Sequence, residues 1–194
     1  MKLWKRRSEG EAPPAPLEVR ARHEACHAIV SLALDLEVKS LDVISEGPYG
    51  GNTSWLPAMP LLKEVNTPRG RADRQLEFMT VIVAPYVGTR GIDADLELSC
   101  SKDLSDARAL ASEIVKAGTA PPSLADPLTV ENLLHLAESQ AGQLLTEYRD
   151  FVDDLTKLLI DTGGQYKLGR HELVPLGGRM ARHHAEMTQR PADC

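Results

Sequence analysis

The side chains best placed to do chemistry together lie in one short stretch, HEACH, at positions 23–27. His23 and His27 are four residues apart, so on a helix they sit one above the other on the same face and can bind one ion together. Glu24 is one step from His23 and leans toward the same cavity, where it can hold a water beside a metal. This is the chemistry of zinc hydrolases. Two imidazoles fix Zn2+, the metal lowers the pKa of a bound water, and the carboxylate takes its proton. The alternative is a pair of buried histidines satisfied by ordinary hydrogen bonds. H-E-x-x-H is a short pattern, so its structural context has to decide between them.

A catalytic zinc needs a third protein ligand and an open position. His171-Glu172 is no second copy of the pattern, because Pro175 stands where another histidine would be needed. Neither the E-x-x-x-[DE] helix of the thermolysin kind nor the H-x-x-G-x-x-H continuation of the metzincin kind is present. The acidic candidates are Asp93, Asp95, Glu97, Asp103 and Asp106. Asp103 stands out because it enters a helix start, where the dipole and free backbone N–H groups fix a carboxylate. Asp106 lies one turn further on and is expected to face solvent.

The elements that must position these groups follow from periodicity and punctuation. A helix is expected over residues 17–36, with Glu18 in its first turn and apolar residues around most of its circumference. Such a helix lies deep in a domain. Two imidazoles and a carboxylate there are costly without partners, and a metal is a fitting one. Residues 38–45 read as a strand, the Gly-rich EGPYGG as a turn, and residues 53–56 as a second short strand. A helix over 71–87 is expected to kink or end at Pro85. After a loop, a helix over 103–117 is closed by Gly118. The steps of three and four from Val130 to Leu158 predict one long helix over 130–161, ended by Gly163-Gly164. A short helix is expected near Arg170, and a loose tail from Gly177. Residues 8–16, rich in Pro and Glu, read as a flexible or extended leader.

With 194 residues the chain is long enough to build a core without disulfides. Its formal net charge of -6, with acid and base mixed along the chain, argues against nucleic acid as a partner. Three cysteines without paired spacing fit a reduced, cytoplasmic setting. No signal peptide and no apolar stretch of membrane-spanning length is visible. Trp4 and Trp55 read as packing residues and His135 as a surface residue. His183, His184 and Glu186 read as part of a polar tail.

Two motifs together resemble a known family. HEACHAIV (23–30) is followed by SKDLSDARALA (101–111), which places Asp103 76 residues after His27. This resembles the peptidase domain of the FtsH family, the AAA-type membrane-anchored zinc proteases of bacteria, mitochondria and chloroplasts. The likeness also takes in VKSLDVISEGPYGGNTSW, RQLEFMTVIVAPYVGTR and HELVPL, and so covers residues 17–176. The resemblance implies zinc held by His23, His27 and Asp103, with Glu24 as general base. It implies an α+β, mainly helical fold with a small sheet beside the helix that bears the metal ligands. On this reading residues 1–16 are a leader, 17–176 the peptidase domain and 177–194 a tail.

The chain departs from that pattern in three ways. Cys26 stands where the family usually has Gly. APYVGTR replaces Gly-Gly-Arg-Ala-Ala-Glu. No G-x-x-x-x-G-K-[ST] loop and no membrane anchor accompany the peptidase motifs.

The expected function is therefore a soluble zinc endopeptidase that cleaves unfolded or flexible polypeptide without ATP. Two other readings stand beside it. One is a peptide-binding or scaffolding module with little turnover, which would have no need of Glu24. The other is a peptidase subunit working with a separate ATPase, or as a homo-oligomer. Substrate is expected along the strand edge at Asn52, Thr53 and Ser54, paired through its main chain.

Overall fold

The computed structural model describes residues 15–36, 38–43, 52–55, 67–162 and 168–189. Trp4, most of the expected leader, the EGPYGG turn, Leu56 and the last five residues lie outside that set. The described residues form seven helices and three strands. In chain order these are α1 (Leu17–Ala33), β1 (Val38–Asp42), β2 (Asn52–Trp55), α2 (Pro68–Gly88), α3 (Leu96–Ser99), α4 (Ser101–Ala117), α5 (Val130–Glu147), α6 (Arg149–Asp161), β3 (Leu168–Gly169) and α7 (Arg170–Gln189). The class is α+β, mainly helical, with one small antiparallel sheet.

The helix bearing the histidines is central. Every residue from Glu24 to Ser31 is buried, which means α1 is covered on all sides for two turns. It packs against α2, α5, α6, α7, β1 and β2. Ala21, Ala25 and Ala28 are wholly buried, and their small side chains let these neighbours come close. The helix stops at Ala33, before the expected Leu36, because Asp35 adopts a left-handed backbone (φ 55°). The Asp35 and Leu36 N–H groups then bond the Leu32 and Ser31 carbonyls at 3.2 and 2.9 Å, closing the end as a Schellman motif.

β1 lies between β2 and β3, with Leu41 opposite Thr53 on one side and Leu168 on the other. Val38, Ser40 and Leu41 are buried while Lys39 is exposed. The pairing with β2 is irregular between Val38 and Ser40, so a bulge accommodates the extra residue. β2 is an edge strand, and its far side carries no partner among the described strands.

The helix α2 begins earlier than periodicity suggests. Thr67 caps it by accepting from the Gly70 N–H at 3.0 Å, and Pro68 fits the first turn, where its missing N–H is no loss. Pro85 does not end the helix, which runs on to Gly88.

The single long helix expected over 130–161 is two helices, α5 and α6, meeting at Tyr148 (φ -105°, ψ 26°). A straight helix of that length would reach about 48 Å, longer than a small domain is wide. The bend lets α5 pack on α2 and α6 on α1. Tyr148 itself is buried, with its ring edge-on to Phe151 and His183.

The expected loose tail from Gly177 is helical as far as Gln189, as part of α7. Pro175, Gly177 and Gly178 lie inside that helix. Met180 is 2 % exposed, and burying such a side chain contributes about 1.5–3 kcal/mol. With His183 against Phe151 and His184 bonded to Glu147 at 3.0 Å, docking offsets the poor helix formers.

Candidate metal centre

The structure brings His23, His27 and Asp103 together. His23 and His27 come from consecutive turns of α1, their rings 5.0 Å apart and edge-on. Asp103 comes from the first turn of α4, whose start is set by Cys100. Its Oδ2 lies 3.2 Å from His23 Nε2 and 3.7 Å from His27 Nε2. One ligand atom from each residue fits within a set whose members are all within 4.8 Å of one another. Tetrahedral zinc with N and O ligands at about 2.0–2.2 Å spaces them roughly 3.3–3.6 Å apart.

Protonation supports the fit. His27 Nδ1 lies 2.9 Å from the Val81 carbonyl oxygen, which can only accept. Nδ1 therefore carries a proton, and Nε2 is the ring nitrogen turned toward the Asp103 carboxylate. Burial would raise the Asp103 pKa, but the two facing imidazoles outweigh it and hold the carboxyl well below the usual range. Two imidazole nitrogens and an ionised carboxylate converge, a donor set that suits zinc. His23 is oriented more weakly. Its Nδ1 faces the Cys100 thiol at 3.9 Å.

Glu24 is 5 % exposed, and burial pushes its carboxyl up to about 7. His23 and the Thr53 hydrogen bond work against that rise, while Asp103 and Asp42 add to it. The Thr53 hydroxyl donates to Glu24 Oε2 at 2.5 Å and also approaches the Glu24 main-chain oxygen at 3.3 Å. The strand expected to hold substrate through its backbone thus reaches the expected base through a side chain. Asn52 and Ser54 flank Thr53 on β2.

The other acidic candidates stand elsewhere. Asp93 accepts from the Ser99 hydroxyl and the Asp95 N–H, and Asp95 stands at the N-cap position of α3 without a side-chain cap bond, with Glu97 in the first turn of that helix. Asp106 is exposed and paired with Lys102 at 2.7 Å, as its position predicts. His135 is exposed. Cys26 points away from the metal set: its sulfur packs against Gly88 of α2, and burial pushes its thiol up to about 12.

Reading by motif missed the Val81 carbonyl, the Cys100 thiol and the side-chain role of Thr53. Main-chain acceptors leave no mark in a sequence. Pro85, four residues after Val81, was the available signal. No protein-family model matches the chain, and no curated protein matches it either.

Proposed function

We propose that the chain is a zinc-dependent endopeptidase with the metal set of the FtsH peptidase domain. The convergence of His23, His27 and Asp103, with Glu24 held beside them, carries this reading. Zinc, when bound, would supply a Lewis acid that acidifies a water and polarises the scissile carbonyl. Glu24, desolvated and tied by Thr53, accepts the proton and returns it to the leaving nitrogen. Among the described strands β2 lies at the sheet edge, where an extended peptide can pair with its main chain. Main-chain pairing makes little demand on sequence, which suits cleavage of unfolded or flexible segments.

Metal analysis of protein purified without a histidine tag is expected to find one zinc per chain. Asp103→Ala removes a ligand and should lower zinc content sharply, while Asp106→Ala, in an exposed ion pair, should not. Unfolded casein should be cleaved by the zinc-loaded chain. Glu24→Gln should keep the zinc and lose the cleavage; full turnover in that variant would overturn Glu24 as the base, and no cleavage by the zinc-loaded wild type would leave a peptide-binding module as the better reading.

A further inference from the structure

Pro85 lies within α2, where the residue at its position would normally donate its N–H to the carbonyl of Val81. Proline has no N–H to give. The Val81 carbonyl accepts instead from His27 Nδ1 at 2.9 Å, in surroundings where Val81 is fully buried and His27 is 6 % exposed. We infer that Pro85 is a positioning residue for the metal: by leaving the Val81 carbonyl without its helical donor, it makes that oxygen the fixed acceptor that orients His27. The inference rests on the metal reading proposed above.

The oriented histidine gives its Nδ1 proton to that oxygen and turns Nε2 toward Asp103. The helix survives the missing bond because the next turn is reinforced. The Thr89 N–H and hydroxyl both donate to the Pro85 carbonyl, at 2.9 and 2.8 Å.

Pro85→Ala restores the N–H and completes the helical bond. A carbonyl has two lone pairs, so the new donor competes with His27 rather than replacing it outright. Chelator competition should show zinc affinity falling about tenfold, the lower end of the range for loss of a metal ligand's partner. Thermal stability of the metal-free chain should rise in the same variant. Pro85→Gly also restores the N–H with a smaller helix-forming gain, so affinity should fall equally while stability rises less than in Pro85→Ala. In the metal-free chain the His27 Nδ1–H should resonate downfield as a proton bonded to a carbonyl, and in both variants it should move upfield. Wild-type affinity and an unchanged Nδ1–H resonance in either variant would overturn the inference. A wild-type chain that binds no zinc would instead defeat the metal reading, and the Nδ1–H comparison would still decide whether Pro85 frees the Val81 carbonyl for His27.

Discussion

Thr53 donates its hydroxyl proton to the Glu24 carboxylate from a strand whose other edge has no partner among the described strands. One residue therefore links the proposed base to the proposed peptide-binding edge, so the base is held in register with whatever lies along the strand. A hydrogen bond to a charged group contributes about 1.5–3 kcal/mol, which is tenfold or more in rate if it holds the base for proton transfer. Thr53→Val keeps the shape and favours a strand, so peptide binding should survive. Steady-state kinetics should show kcat lower by about tenfold, with KM and zinc content near wild type. Thr53→Ser should restore most of the loss, and a change confined to KM would show that Thr53 serves the strand alone. Both residues were visible in the sequence as candidates. Their contact was not, because it spans 29 residues and depends on β2 lying across α1.

At the scale of elements, α1 and α2 meet where Cys26 faces Gly88. A Cβ at Gly88 would come within 2.3 Å of the Cys26 sulfur and 3.2 Å of Leu145 Cδ1. The Gly88 carbonyl also accepts from Arg22 at 2.9 Å, so the backbone there has little room to withdraw. Gly88→Ala should therefore cost about 1–3 kcal/mol by overpacking. Removing the sulfur makes room, since the Cys26 Cβ is 3.5 Å from the added carbon. In urea denaturation, Cys26→Ala with Gly88→Ala should be more stable than the sum of the single changes predicts, by about 1 kcal/mol. Strict additivity would mean that α2 moves aside instead. Helix type and approximate position were legible from periodicity, but ends and bends were not. The 130–161 pattern keeps its apolar face through Tyr148, so nothing in its spacing marks the bend.

Across the whole molecule, α1 is the hub, and it carries a carboxyl and two imidazoles into the core. Helices α1 and α4 bring their ligands together from positions 76 residues apart, so the proposed metal would tie distant parts of the chain. No described helix is long and apolar enough to cross a membrane. The sequence contains no G-x-x-x-x-G-K-[ST] loop to cradle a nucleotide's phosphates. Cleavage of unfolded casein by the purified, zinc-loaded chain should therefore run at the same rate with and without ATP. A strict ATP requirement would mean that nucleotide acts through a site the motif does not describe.

The sequence by itself determined which residues were available and roughly how they are carried. The i, i+4 spacing put His23 and His27 on one helical face, and the apolar residues around them sank that helix into the core. Asp103 in a first turn and the small sheet were legible for the same reason: local spacing and local capping act over a few residues. Asp103 was already singled out among five acidic candidates by its helix-start position and the resemblance, but its meeting with the histidines depends on how α4 docks. Tertiary structure also decided that α7 stays helical past Pro175 and Gly177, because burial of Met180 outweighs local preference. Only the packed structure could give His27 its partner. The Val81 carbonyl belongs to every residue type alike, and its availability depends on a proline four residues away and a helix packed across it.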